Sequence, residues 1–293
     1  MNKSILFLMG NKGLACLKAV FVKFPLSIEM VVYAHDKNVS NDYVDEIKLF
    51  CTLNSIRSCD RKEWESSNYN GASKFGVAVS WRWMIQSSEL NLIVLHDSLL
   101  PKYRGFNPLV TALINGDTTI GVTALLANKE FDRGDIIGQA AMQIIYPCTI
   151  ETAIDQITTK YAELIVSVFN KLNKDKLETI PQNESDATYS LWRDNEDYFL
   201  DWNLDASILE RTVNALGFPY NGAQTNMGDE IIIIKKAIAL SNIRIENRTP
   251  GKIIFSNKNE PEVVCGNGLL RIIEAENLNK TKVIFSKFRQ RFK

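Results

Sequence analysis

The sequence predicts an α/β domain followed by a smaller β-rich one, with the division near residue 200 (residues 1–200 and 201–293). Three observations carry this. Short apolar runs alternate with amphipathic, helix-periodic stretches, the pattern of a parallel sheet with helical crossovers. A long helix closes that series at about residue 172. From Ile231 onward, β-rich runs and turns follow one another without a helical stretch between them.

In chain order, residues 4–9 are the first strand; the run is too short for a signal peptide, and Asn11 and Lys12 interrupt it. Gly10-Asn11-Lys12-Gly13 is a turn into an amphipathic helix ending near Lys23. That turn either directs backbone amides at a phosphate, with Lys12 as a substrate contact, or simply redirects the chain. Residues 28–33, 75–79 and 91–95 are further strands, and 43–53 a helix. Thr149 caps the helix to residue 172, which shows helical periodicity over 152–168. Residues 173–187 are polar, contain Pro181 and form a crossing loop; 206–216 is a helix and 217–222 a turn. The β-rich runs are 231–234, 251–255, 262–265 and 269–273. Exposed strands such as 231–234 would suit a dimer interface, or the domain's own core.

Composition narrows the function classes. Lys+Arg and Asp+Glu both number 34, so the 293-residue chain is formally neutral, unlike a dedicated nucleic-acid binder. No run approaches transmembrane length, so no membrane partner is expected. The five cysteines show no CxxC and no grouping with the two histidines, which reads as reduced thiols in a cytoplasmic protein and no metal site.

One stretch carries chemistry. His96-Asp97-Ser98-Leu99-Leu100-Pro101-Lys102-Tyr103-Arg104-Gly105 places a histidine at the end of the apolar run Leu92-Ile93-Val94-Leu95. Parallel sheets bind ligands outside the carboxyl ends of their strands, where Ser80-Trp81-Arg82-Trp83 also falls. Further on, Phe131-Asp132-Arg133-Gly134-Asp135 is a turn with a carboxylate. A strand-end histidine and a loop aspartate can converge on one reacting carbonyl centre and move a proton there. Alone, a strand-end histidine is more often structural, and His35, without such a context, reads as structural or exposed.

These residues also carry a resemblance. His-x-Ser-Leu-Leu-Pro-x-Tyr-Arg-Gly, then Asn115-Gly116-Asp117, Gly121-Val122-Thr123 and Asp132-x-Gly134-Asp135, resembles the formyltransferase family in order and spacing over roughly residues 75–140. The resemblance implies a Rossmann-like catalytic domain and 10-formyltetrahydrofolate as formyl donor. His96 would bond the formyl oxygen or take the amine proton, and Asp132 would orient it. The donor would lie near Trp83, Met84, Ser98, Leu99, Arg104, Gly134 and Asp135; Trp83 and Met84 read equally well as core. Arg104 frames the site or is a solvated loop charge.

Trp192-Arg193-Asp194, Asp197-Tyr198-Phe199-Leu200-Asp201-Trp202 and Gly217-Phe218-Pro219-Tyr220 resemble the nucleotide-sugar N-formyltransferases of that family. These act on dTDP-linked amino sugars for surface polysaccharides such as lipopolysaccharide. Tyr198, Trp202 and Tyr220 would stack on a nucleobase and Arg193 pair with a diphosphate, with Lys12, Ser80, Trp81 and Arg82 completing the acceptor site. Alternatively the aromatics pack a linker between domains. With no basic excess, the β-rich tail is expected to serve as a dimer contact or a substrate clamp, in a cytoplasmic homodimer. A tRNA formyltransferase, a formyltetrahydrofolate hydrolase and a catalytically weak binding protein are the rivals.

Three positions depart from the family pattern. Val94 stands where an asparagine completes the family's triad, Asn107 where relatives have a small apolar residue, and Thr111 where many have tryptophan. Either Asn107 supplies a replacement amide, or catalysis is impaired with the binding pockets kept.

Overall fold

The structure, a computed structural model, describes residues 2–37, 39–67, 69, 71–85, 90–257, 259–285 and 289–293. The elements in order are β1 (Ser4–Leu8), α1 (Gly10–Lys23), β2 (Ile28–Tyr33), α2 (Val44–Leu53), β3 (Ser58–Asp60), α3 (Arg61–Ser66), β4 (Phe75–Val79), β5 (Asn91–His96), β6 (Arg104–Gly105) and α4 (Pro108–Asn115). Then come β7 (Thr119–Leu126), β8 (Ile136–Gln143), α5 (Ile150–Asn173), β9 (Tyr189–Ser190), α6 (Ala206–Ala215), β10 (Ala223–Met227), β11 (Glu230–Leu240), β12 (Ile253–Asn257), β13 (Glu260–Val264) and β14 (Leu269–Asn277).

The chain divides into two compact units. One comprises Met1–Pro108, Thr119–Gln143 and Ile154–Leu191; the other comprises Leu109–Thr118, Ile144–Ala153 and Trp192–Lys293.

The first unit is built on a seven-stranded sheet in the order β3-β2-β1-β4-β5-β7-β8. The apolar runs explain its centre: all five residues of β1 are buried, as befits a strand covered on both faces. The chain winds outward from β1 to β3, then returns to place β4 on the other side of β1. In open α/β sheets ligands bind beside such a reversal, outside the carboxyl ends of the strands. Leu8, Val79 and Leu95 share one row of the parallel register, so Met9, Ser80 and His96 form the next. Beneath this rim Phe7 packs edge-on against Trp64 and Trp81, with centroids 5.2 and 5.4 Å away.

The sheet is mixed rather than wholly parallel: β7 runs antiparallel to β5, and β8 to β7. A direct loop from β7 to β8 leaves no room for the helical crossover that parallel strands need. The expected turn at Gly10–Gly13 is instead the first turn of α1, entered through Gly10 at φ +65°. Thr149 caps α5 as expected, its Oγ1 accepting from Thr152 N at 3.2 Å.

The second unit carries an antiparallel five-stranded sheet, β10-β11-β14-β13-β12, with α6 against β11. Ile232 and Ile234 are buried while Ile231 and Ile233 are half-buried, the two-residue alternation of a strand with one face in its own core. Among the described residues no helix is long and apolar enough to cross a membrane. The five cysteines are unpaired. Burial pushes the Cys51 and Cys59 thiols up to about 11 and Cys265 to about 12, which keeps them protonated and unreactive.

Candidate active site

β5 delivers His96 to the rim of the sheet, where it is 7% exposed. Its Nε2 lies 2.8 Å from the Tyr103 carbonyl oxygen. A carbonyl can only accept, so Nε2 carries a proton, and in the neutral form of the ring Nδ1 is then the accepting nitrogen. Nδ1 faces Asp132 Oδ1 at 3.5 Å, while Asp132 Oδ2 accepts from Gly105 N at 2.8 Å. Two acceptors thus stand side by side, spaced so that one amine nitrogen can donate to both.

The loop after β5 is held from beneath. Thr123 Oγ1, fully buried, donates to Ser98 O (2.6 Å) and accepts from Leu100 N (3.0 Å). Gln139 Nε2 donates to Leu100 O and Thr123 Oγ1, and Ser98 Oγ donates to Lys102 O. Leu99 lies over Gly121, where an added Cβ would come within 2.3 Å of Leu99 Cδ2. Ser80, Tyr103, Asn107 and Asp132 all have φ between 48° and 57°. Left-handed backbone in non-glycine residues costs ~1–3 kcal/mol each and persists only where the surroundings enforce it.

Arg104 is 1% exposed. Its guanidinium donates to both oxygens of Glu184 (2.8 and 2.7 Å) and twice to Gln182 Oε1. The hydrogen bonds from Arg104 hold the Glu184 carboxyl below the usual glutamate range. A carboxyl lowered on folding stabilises the native state above the ordinary glutamate range; that contribution is lost as pH falls through the lowered value. Glu184→Gln is therefore expected to flatten the acid limb of the profile of Tm against pH. An unchanged profile would show that the pair adds nothing.

Comparison with known proteins bears directly on this geometry. Residues 78–169 match the family described as Formyl transferase, and residues 193–293 match Formyl transferase, C-terminal domain. The chain belongs to the formyltransferase family. It is 28% identical over 228 residues to the methionyl-tRNA formyltransferase of Agathobacter rectalis, covering 75% of this chain and 73% of that one. It is 33% identical over 208 residues to that of Leptospira interrogans serovar Lai, covering 70% and 65%. In other methionyl-tRNA formyltransferases the chain spans about three fifths of the relative's length. Among solved structures, WlaRD, a sugar 3N-formyl transferase in the presence of dTDP and 5-N-formyl-THF, superposes with a TM-score of 0.69 at 16% identity, over 96% of this chain and 99% of that one.

The remaining residues singled out in this formyltransferase-family chain lie as follows. Val94 sits two residues before His96 on β5 and packs, half-buried, against the cluster of Phe7, Trp64 and Ala78. Trp81 and Trp83 meet edge-on, Arg61 stacks over Trp83, and Arg82 pairs with Asp36 at 2.7 Å. Met84 is 66% exposed. Asp135 accepts from Thr179 Oγ1, and its backbone oxygen from Leu126 N. Lys12 is buried and paired with Asp97, which also accepts from Tyr161 Oη at 2.8 Å, so its charge is already met within the protein.

In the second unit, Trp202 is buried against Phe292 with Nε1 donating to Thr225 Oγ1. Tyr198 and Tyr220 are half-buried. Arg193 donates from Nη1 to Asp197 O, while its buried Nε has no partner among the described residues. Sequence reasoning missed Gln182, Thr188 and Gln139, which hold the loops.

Proposed function

We propose that this chain transfers a formyl group from 10-formyltetrahydrofolate to the amine of a nucleotide-linked amino sugar, a dTDP-linked deoxyamino sugar for surface polysaccharides. The observation that carries the reading is the paired acceptor, His96 Nδ1 and Asp132 Oδ1 at 3.5 Å. An attacking amine must shed a proton as its nitrogen bonds the formyl carbon. His96 takes that proton on Nδ1, and Asp132 stabilises the imidazolium. The bond between the formyl carbon and the donor's N10 nitrogen then breaks, and the departing N10 takes from His96 the proton that the amine gave up. With Nε2 engaged by Tyr103, this geometry favours His96 as the base over His96 as the oxyanion donor.

The donor's ring needs a slot with unpaired polar groups at the strand ends. Trp81 Nε1, buried without a partner among the described residues, fits that need, and the exposed Met84 offers an apolar surface for the ring. For the acceptor, the buried Arg193 Nε, without a partner among the described residues, suits a diphosphate oxygen. The solved relative WlaRD was obtained with dTDP and 5-N-formyl-THF. The reading includes a cytoplasmic setting and a homodimer, for which the exposed Ile238 and Phe255 of the C-terminal sheet offer apolar contacts.

The sequence relatives favour a second reading, methionyl-tRNA as acceptor, against which the zero formal charge weighs. Incubation with the folate donor and a panel of nucleotide amino sugars, charged tRNA and no acceptor separates the readings by mass. The proposal expects one formyl group added to an amino sugar. Formylated tRNA, formate release alone, or ligand binding with no product would each overturn it.

Val94 offers no donor for the oxyanion, and Asn107, two residues past Gly105, is proposed to supply it. Asn107→Ala is then expected to lower kcat by ~10²–10³-fold, the usual cost of losing one such donor. Val94→Asn is expected to leave kcat unchanged, whereas a large gain would show an impaired site.

A further inference from the structure

We propose that Gln182 is a positioning residue: its single amide ties the loop that orients the His96 imidazole to the turn that presents the Asp132 carboxylate. This rests on the formyl-transfer reading, but its test does not depend on activity alone.

Gln182 makes every hydrogen bond an amide can make. Its Oε1 accepts from Arg104 Nε (3.1 Å) and Nη2 (2.8 Å). Its Nε2 donates to Asp132 O and to Gly134 O, both at 2.7 Å. The orientation is unambiguous, because a guanidinium only donates and carbonyls only accept.

Follow both arms to the reacting groups. The Arg104 N–H donates to Thr188 O at 2.8 Å. The other end of that same peptide is the Tyr103 carbonyl, which takes the His96 Nε2 proton. Gln182 thus grips the side chain of the residue whose peptide sets the imidazole tautomer. Its second arm holds the backbone of Asp132 at φ 55°, the conformation from which that carboxylate reaches both Gly105 N and His96. No carboxylate or hydroxyl offers two donors and two acceptors in one plane.

Glu184 also grips Arg104 with both oxygens. The arginine therefore keeps its ion pair when Gln182 changes, while the tie between its loop and the Asp132 turn is lost. Gln182→Glu keeps the shape and the Arg104 contacts but turns an oxygen towards two carbonyls. Gln182→Met removes all four bonds without adding charge.

The chain has two histidines. In a His35→Gln background the ring ¹⁵N signals therefore belong to His96 alone; His35 is exposed and bonds only Asp42 among the described residues. The parent should show one fixed tautomer protonated at Nε2. In Gln182→Glu and Gln182→Met that pattern should give way to a mixture. Formyl transfer should show kcat lowered ~10–100-fold with KM for both substrates unchanged. Folded variants that retain the parental ring pattern and kcat would overturn the proposal, as would an effect on KM alone. Loss of the fold in both variants would make Gln182 a folding residue and overturn it too. If the parent transfers no formyl group, the functional reading fails, while the ring spectra still decide the role of Gln182.

Discussion

Replacing His96 by glutamine is expected to lower formyl transfer by ~10²–10⁴-fold, the usual contribution of a positioned acid–base group. Glutamine can still donate to the Tyr103 carbonyl that now takes the Nε2 proton, so the loop keeps its anchor. It cannot accept the amine proton and return it to the departing nitrogen. The loss should therefore fall on kcat, with the unfolding temperature close to that of the parent. If steady-state kinetics show kcat within a factor of a few, His96 is not the proton carrier.

The second large effect concerns the backbone under Asp132. A Cβ built at Gly134 would lie 1.5 Å from the Leu126 carbonyl oxygen. No rotamer relieves that contact, because the backbone alone fixes the Cβ position and the opposing oxygen is main chain. The turn is closed against the end of β7 by the Leu126 N to Asp135 O bond and by Gln182 on Gly134 O. Gly134→Ala is thus expected to destabilise the protein by about 3–5 kcal/mol, the range reserved for enforced backbone shifts and disrupted networks. It should also move Asp132 away from His96 and abolish transfer at temperatures where the variant is folded. Urea unfolding that places the variant within about 1 kcal/mol of the parent, an ordinary point-mutant effect, would refute the close approach.

The sequence made the centre of the sheet legible because strands buried on both faces read as apolar runs: β1, β2, β4 and β5 all announce themselves. β3 and β10 did not, since Ser-Cys-Asp and Ala-Gln-Thr-Asn-Met have no apolar run to read. The α3 capping box, Asp60 with Glu63, was a usable signal that went unread. β7, Thr119–Leu126, was a readable apolar run that went unread, and its antiparallel direction depends on how the chain returns, not on local composition.

At the site, His96 and Asp132 could be paired from motif and spacing. Gln182 could not. It lies in a polar loop of ordinary composition, and its role comes from two contacts dozens of residues away, with Arg104 and with the Asp132 turn. Lys12 shows the reverse case. Its place beside a glycine-flanked turn suggested an anion, whereas Asp97, adjacent to His96, pairs with it inside the protein. The fate of a charge depends on what the fold sets opposite it, which spacing along the chain does not reveal.

A crystal structure of the protein with the folate donor and a dTDP-linked amino sugar tests the central claim most directly. The expected result is an amine nitrogen within hydrogen-bonding distance of both His96 Nδ1 and Asp132 Oδ1, with His96 Nε2 still on the Tyr103 carbonyl. An amine bound away from that pair, or an imidazole turned to point Nε2 at the formyl oxygen, would contradict it.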